Sequence, residues 1–161
     1  MKEQISPIDS CDSCQLLVFR QASADFVGVE RLVELAGELS IPTHICCDDI
    51  VDTSLLGGLA LKLGTPETIN RRKILLCGSY LEEQISVAAQ YMLVVGYDVH
   101  LVRDLVLPRN ASHTQFHDSR LVQFGAVMTT VKHLIYEWAS SERDQSAREL
   151  LHKLLHDGRG F

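Results

Sequence analysis

Short apolar runs that alternate with helical patterns constrain the fold of this chain more than any other feature. Runs rich in aliphatic residues occupy positions 15–20, 43–47, 73–77, 98–102 and 126–129. Continuous apolar runs of this length are typical of strands buried on both faces. The sustained strand–helix alternation predicts a three-layer α/β/α architecture, with a mostly parallel, doubly wound sheet of about five to six strands. Ligands in such an architecture bind beyond the carboxyl ends of the strands.

Apolar residues at helical spacing mark the segments between these runs. The predicted helices cover residues 29–39, 81–95, 117–124, 131–138 and 143–156. Segment 81–95 has the strongest pattern and is predicted to end at Gly96. The glycine-containing stretch 55–64 receives no predicted element, and Pro66 is a candidate start for a short helix. Segment 143–156 is a C-terminal amphipathic helix of a single domain spanning 1–161, and it either covers the sheet or docks onto a second subunit.

Length, composition and charge fit one ordinary globular domain. The chain has 161 residues, of which 46% are hydrophobic and 22% charged, enough to bury one core. Its net charge of −6 repels phosphate backbones, so no nucleic-acid partner is expected. No apolar run reaches the ~20 residues of a membrane span, and residues 1–10 hold no signal-peptide core, so a cytoplasmic protein without membrane contact is expected. An odd number of cysteines, five, fits a reducing compartment and no disulfide framework.

A family resemblance depends on the stretch from residue 75 to residue 138. Its anchors, in order, are Gly78, Gly96, Tyr97, Asp98, residues 102–104, His117, Leu121, Gly125 and residues 127–130. In this order they resemble the second half of the isochorismatase-like cysteine hydrolases, in which a strand ending in Gly leads through a cis-peptide turn into the helix of the nucleophilic Cys. Residues 16–20 and Phe26 are similar to the opening strand and acidic signature of that family. The resemblance spans about three-quarters of the chain and implies a Rossmann-like fold.

The catalytic positions are where the sequence departs from that family. Its members resemble one another in an Asp, Lys and Cys triad, in which the Lys and a helix N-terminus favour the thiolate and the carboxylate moves the proton. The resemblance places Gln84 at the nucleophile, where an amide has no nucleophilic character at neutral pH. It places Arg20 at the carboxylate, where a protonated guanidinium offers no acceptor. Lys62 is the only lysine between the second and third strands, but its flanks do not match those of the family Lys, so no residue is assigned that role.

No metal or cofactor is expected. The Asp-x-His metal pair of nicotinamidase-type relatives would follow the second strand, where residues 48–50 supply no histidine. Cys11 and Cys14 have the spacing of a redox or zinc pair, yet they precede a strand and do not open a helix. His113 and His117 have a ligand spacing if helical, but His117 matches a scaffold position of the family, so a structural role is expected.

Two functions of different class remain open. The pocket predicted at the degenerate triad positions contains Arg20 and Gln84, with Cys77, Ser79, Tyr80 and Asp104 as neighbours. In the first function the chain is catalytically inactive and serves as a binding, scaffold or sensor subunit. In the second it is a hydrolase of a small amide or vinyl-ether substrate through an unidentified nucleophile, such as Cys77 with Asp104 or His44. The first is favoured because Arg and Gln at two triad positions leave no residue to form a covalent intermediate.

Two partners are predicted. A small anionic metabolite fits Arg20 beside the N-terminus of a helix that begins near Ser79. Alternatively, Glu82 and Glu83 pair with Arg20 and close the pocket. A homo-oligomer, most simply a dimer, is expected because the family resemblance implies subunit pairing and a terminal leucine stripe offers apolar surface. The stripe consists of Leu150, Leu151, Leu154 and Leu155.

Overall fold

A parallel five-stranded sheet forms the centre of the structure, a computed structural model that describes residues 11–20, 27–47, 51–67 and 69–157. The strands are β1 (Cys14–Phe19), β2 (Thr43–Cys46), β3 (Lys73–Cys77), β4 (Asp98–Val102) and β5 (Val127–Thr129). The helices are α1 (Val27–Glu38), α2 (Thr53–Leu63), α3 (Ser86–Val95), α4 (Thr114–Phe124), α5 (Val131–Ser141) and α6 (Gln145–His156). The predicted fold class is confirmed, and each predicted strand matches an observed one to within one residue at either end.

Alternating side chains of the sheet build two separate core layers. Leu16 and Val18 of β1 pack with α1, α5 and α6 on one face, whereas Leu17 and Phe19 pack with α2, α3 and α4 on the other. All residues of β1 are buried, as expected for a central strand covered on both sides. The sheet and its two helical layers therefore form the predicted α/β/α sandwich.

The strand order indicates where along the sheet a ligand would bind. The order is β2-β1-β3-β4-β5 and every pair is parallel. From β1 the chain moves outward to β2, and it then returns to β3 on the other side of β1. Ligands of sheets with this order bind outside the carboxyl ends of the two strands where the direction changes. Those strands here are β1 and β3.

Helix α2 was not predicted in stretch 55–64. The Asp52 carboxylate caps its start by accepting the backbone N–H of Leu55 at 2.8 Å. Gly64 follows its end with a positive φ of 92°. Three leucines at helical spacing, Leu56, Leu59 and Leu63, are buried, and their packing outweighs the low helix propensity of the two internal glycines. Pro66 lies in a turn and does not start a helix.

Residues 81–95, predicted as one helix, are broken in the structure. Leu81–Ile85 form a π-helical turn in which Glu83 has non-helical angles, φ −114° and ψ −115°. Helix α3 begins only at Ser86, and its predicted end at Gly96 is confirmed by a left-handed cap at φ 114°. The apolar pattern conceals the break because Leu81 and Ile85 are both fully buried, as they would be on a continuous helix.

Helix α6 packs onto the chain's own core. Leu151 is fully buried, and the other three leucines of the stripe pack partly buried against the layer formed with α1 and α5. The Asp144 carboxylate caps the helix by accepting the N–H of Ala147 at 2.9 Å. Of the two roles predicted for this helix, the structure shows the covering role. Leu150, Leu154 and Leu155 keep part of their side chains exposed, so docking of this helix onto a second subunit stays a prediction.

The remaining helices differ little from expectation. Helix α4 begins three residues earlier than predicted, at Thr114, after a 3-10 turn at Ala111–His113. Helices α1 and α5 lie where the apolar spacing predicted them. Within the described residues, none of these helices has the length and apolar character needed to cross a membrane.

Candidate functional site

The carboxyl ends of β1 and β3 approach each other closely at Gly78. This residue follows β3 with φ of 110°, a conformation that favours glycine. A Cβ atom there would clash with the backbone carbonyl oxygen of Phe19, the last residue of β1. Gly78 N–H donates to the carbonyl of Leu105 at 2.9 Å, which ties this edge to the segment after β4. Arg20, after β1, and the turn after Gly78 therefore lie at the same edge of the sheet.

Gln84 is held in a buried hydrogen bond inside this turn. Its Oε1 accepts the hydroxyl proton of Ser79 at 2.7 Å. Gln84 is 4% exposed and Ser79 is fully buried. The position that the family resemblance assigns to the nucleophile is thus occupied by an amide that serves the packing of the turn.

Arg20 pairs with α1. Its guanidinium lies 2.6 Å from Glu30 in the first turn of that helix, and its backbone N–H donates to the Cys46 carbonyl at 2.8 Å. The Nε atom is buried and has no hydrogen-bond partner among the described residues. The alternative in which Glu82 and Glu83 neutralise Arg20 is wrong, because Glu30 has that role and both glutamates bind Arg109.

Residues 107–110 lie across the turn as a strap. The N–H of Leu81 donates to the Leu107 carbonyl at 2.9 Å, and the N–H of Leu107 donates to the Ser79 carbonyl at 3.2 Å. The Glu82 carboxylate then accepts the backbone N–H groups of Arg109 and Asn110, at 2.8 and 3.2 Å. Backbone and carboxylate bonds together fix the strap against the segment that precedes Gln84.

The Arg109 side chain adds further contacts between the strap and the turn. Its guanidinium donates to Glu83 at 3.0 Å and stacks over the Tyr80 ring, 3.9 Å from the ring centroid, an arrangement that combines an ion pair with a cation–π contact. Burial tends to raise the pKa of Glu82, but hydrogen bonds from the Arg109 and Asn110 backbone outweigh it, so this pKa is lowered. Sequence reasoning missed Arg109. It lies in a Pro-Arg-Asn loop without periodicity, and its partners are 26 residues or more away.

Cys77, the suggested relocated nucleophile, is inaccessible and neutral. Its side chain is fully buried in the core layer of α1 and α5. Burial, with a smaller contribution from the Asp104 charge, raises the pKa of the thiol to about 12. Only the thiolate is a competent nucleophile. Asp104 itself accepts the N–H of Val131 at 3.2 Å and so caps the start of α5.

His44 does not complete a triad with Cys77. Its Nε2 lies 3.2 Å from the side-chain oxygen of Gln15, in the amino-terminal half of the sheet. Gln15 also donates to the carbonyls of Leu63 and Arg71 at 2.9 and 3.0 Å. This histidine therefore belongs to a polar network that secures the start of β1.

The paired cysteines near the start of the described chain hold their protons. The Cys11 thiol donates to the Glu142 carboxylate at 2.9 Å. Burial first, and then this bond, raises its pKa to about 12, and burial raises that of Cys14 to about 11. In the described ranges no three His, Cys, Asp or Glu side chains converge as a metal site would require.

Other sequence-predicted positions lie away from the site or outside the described residues. Lys62 is exposed in the last turn of α2. His117 is in α4, with its ring edge-on to Phe116, and His113 is in the preceding 3-10 turn. Phe26 and residues 48–50 are outside the described residues. No described peptide bond is cis.

The three-layer α/β fold is shared with solved structures, one of them described as a hydrolase. The chain is similar to the MAR1 ribonuclease of Caenorhabditis elegans, at 18% identity and a TM-score of 0.69, with 95% of each chain covered. YcaC of Escherichia coli, described as an octameric hydrolase of unknown specificity, superposes with a TM-score of 0.66 at 15% identity over 93% of this chain and 91% of that one.

A third solved structure agrees with these two. YcaC of Pseudomonas aeruginosa, solved with hexane-2,5-diol and covalent acrylamide, gives a TM-score of 0.70 at 14% identity over 94% of this chain and 92% of that one. No protein-family model matches the sequence, and the search of curated proteins gives no match. Identities this low show a shared fold alone.

Proposed function

We propose that the chain uses this hydrolase fold without hydrolytic chemistry, as a binding, scaffold or sensor subunit. The main support is Gln84, an amide bonded to Ser79 at 2.7 Å at the position that the isochorismatase-like resemblance assigns to the nucleophile. Arg20, at the position assigned to the carboxylate, is a cation paired with Glu30. Neither group forms a covalent intermediate or accepts a proton.

The competing function is a hydrolase of a small amide or vinyl ether through Cys77. A buried thiol with a pKa of about 12 is protonated at neutral pH. Asp104, its nearest proposed helper, raises that pKa further and caps α5. These observations weigh against the competing function.

Two partner proposals accompany the inactive subunit. A small anion at the sheet edge would compete with Glu30 for Arg20, whose side chain is 40% exposed. A homo-oligomer is supported by the octameric E. coli neighbour. All five cysteines are free thiols, which supports a cytoplasmic location.

A hydrolysis assay tests the central proposal. Purified protein is incubated with isochorismate and a panel of small amides, and no turnover above buffer is expected. Turnover that survives repurification and is lost in Cys77→Ala would contradict the proposal. Cys46→Ala is the matched control, because Cys46 is also buried at the end of a strand and reports loss by destabilisation alone.

Alkylation of the native protein gives an independent measurement. Iodoacetamide should modify Cys47, which is exposed, and leave the four buried cysteines unmodified. Peptide mapping by mass spectrometry identifies the modified residue. Modification of Cys77 before Cys47 would show a reactive thiol at the edge and support the hydrolase instead.

A further inference from the structure

A cleft of about 380 Å³ lies between α5 and α6 and shares no residue with the candidate site. Its polar lining comes from Lys132, Tyr136 and Ser140 of α5 and from His152 and His156 of α6. Residues four apart lie on the same side of a helix, so the two helices present facing rows of side chains. Ala139 and Leu155 supply an apolar surface between these rows. The volume lies within the range of small-molecule sites, roughly 300–1,000 Å³.

The charge of the lining is opposite to that of the whole chain. The protein carries a net charge of −6, yet no carboxylate lines the cleft. The lining has one lysine and two histidines, together with the Tyr136 hydroxyl. The Ser140 hydroxyl already donates to the carbonyl of Tyr136 at 2.9 Å, which leaves the lysine, the imidazoles and the phenol as donors.

Most carboxylates on or beside the same two helices have other contacts. Glu137 pairs with His133 at 2.9 Å, and Glu149 accepts a bond from the Gln145 amide at 3.1 Å. Glu142 accepts the Cys11 thiol proton. Asp157 follows α6 and is the acidic residue next to His156 in sequence. The cleft therefore concentrates donors in a region where the nearby acids are mostly engaged.

We propose that this cleft binds a small anion with a short apolar body, of the aryl phosphate or aryl carboxylate kind. The ammonium of Lys132 and the imidazole N–H groups of His152 and His156 bind the anionic group, and charge-assisted bonds of this type are the stronger ones. The apolar body lies against Ala139 and Leu155. This ligand site is separate from the edge occupied by Arg20, and it holds whether or not the chain is a hydrolase.

Phenyl phosphate is the probe, with inorganic phosphate and phenol as partial probes. Thermal melting of the full chain should show a rise in Tm with phenyl phosphate, a smaller rise with phosphate and none with phenol, because the anionic group supplies the charge and the ring adds apolar contact. NMR of the histidine ring nitrogens should shift His152 and His156 on titration and leave His133 unchanged.

Exposed residues allow matched variants that leave the core intact. The double substitution Lys132→Gln and His156→Gln should weaken binding of phenyl phosphate at least tenfold. Lys153→Gln is the control, because it removes an exposed charge that lies on α6 but outside the cleft, and it should leave the affinity unchanged. Equal weakening by Lys153→Gln would show general electrostatic attraction and overturn the proposal. Absence of any Tm rise would also overturn it. A rise that Arg20→Ala abolishes and the double variant retains would place the anion at the sheet edge and overturn it as well.

Discussion

At the scale of single residues, burial decides what the polar groups of the sheet edge do. Ser79 and Gln84 are both buried and satisfy each other, whereas Arg20 and Glu30 form their pair partly in solvent. Leaving a buried donor or acceptor without its hydrogen-bond partner lowers the free energy of unfolding substantially. An exposed ion pair contributes little. The sheet edge therefore owes its stability to the neutral pair more than to the charged one.

Replacing Ser79 with alanine tests this difference. Ser79→Ala removes the donor to Gln84 and should lower the free energy of unfolding by about 1–3 kcal/mol. Ser112→Ala is the control, since Ser112 also donates to a side-chain oxygen, that of Asn110 at 2.6 Å, but is exposed. Its effect should be within about 0.5 kcal/mol. Urea unfolding of both variants measures the difference, and equal effects would contradict the role given to burial.

Between elements, the contact of β1 with the end of β3 sets the geometry of the carboxyl edge of the sheet. Gly78→Ala should lower the free energy of unfolding by about 2 kcal/mol or more, because it places a side chain at a positive φ and against the Phe19 backbone. Gly58→Ala lies inside α2 with nothing within 4 Å of the added atom and should stabilise by about 0.5–1 kcal/mol. Thermal and urea unfolding should show that the two substitutions change the free energy of unfolding in opposite directions. A neutral Gly78→Ala would mean that the strands do not approach as described.

The strap is expected to depend on pH through Glu82. Its pKa is lowered in the folded protein, so the ionised carboxylate stabilises the fold above the unfolded pKa of about 4.3. That contribution is lost as the pH falls through the lower folded pKa. The difference in stability between wild type and Glu82→Gln should thus be constant from neutral pH to about pH 5 and shrink on further acidification.

Hydrogen exchange shows whether the effect belongs to the strap. At neutral pH, Glu82→Gln should speed exchange of the Arg109 and Asn110 amides, which donate to this carboxylate. Glu38→Gln, an exposed change in the last turn of α1, should leave them unchanged. Unaltered exchange of these amides in Glu82→Gln would mean that the carboxylate does not stabilise the strap.

The elements differ in how far the sequence determines them. Strands were predictable because burial on both faces makes them continuous apolar runs, as in β3. Helix α2 was hidden by its internal glycines, although the capping residues Asp52 and Gly64 were visible. The break at Glu83 was not predictable, because its dihedral angles leave the apolar spacing of Leu81 and Ile85 unchanged.

The candidate site was likewise predictable from the sequence only in part. In a parallel sheet, residues that follow β1 and β3 must lie at one edge, so the common edge of Arg20 and the turn after Gly78 follows from the alternation of elements. The partners of these polar side chains do not follow from it. Glu30 pairs with Arg20 because of how α1 packs against the sheet, and the Arg109 contacts need a loop conformation that no local sequence pattern specifies.

At the scale of the whole molecule, the apolar surface left exposed differs from the one expected. Leu151 of the α6 stripe is fully buried and the other three leucines are partly buried, while Leu61 of α2 and Val94 of α3 are 85% and 81% exposed. Exposed apolar side chains outside the stripe are therefore also available to a contact between subunits.

Light scattering tests the predicted homo-oligomer. A mass at least twice the 18.0 kDa of one chain is expected at micromolar concentration, and it should fall on dilution if the contact is weak. Leu151→Ala should destabilise the fold by about 2–5 kcal/mol through the core without a specific effect on assembly. A constant mass of one chain at all concentrations would refute the prediction.

The π-helical turn at Leu81–Ile85 also limits what an engineered cysteine could do there. A Gln84→Cys substitution would create a thiol that is nearly buried, adjacent in sequence to two carboxylates and ahead of the first residue of α3. Burial and like charge both disfavour the thiolate, so this single substitution would not yield a reactive cysteine. A reactive thiol at this position would need changes in the turn, in the strap and in the neighbouring carboxylates together, so no single substitution installs one.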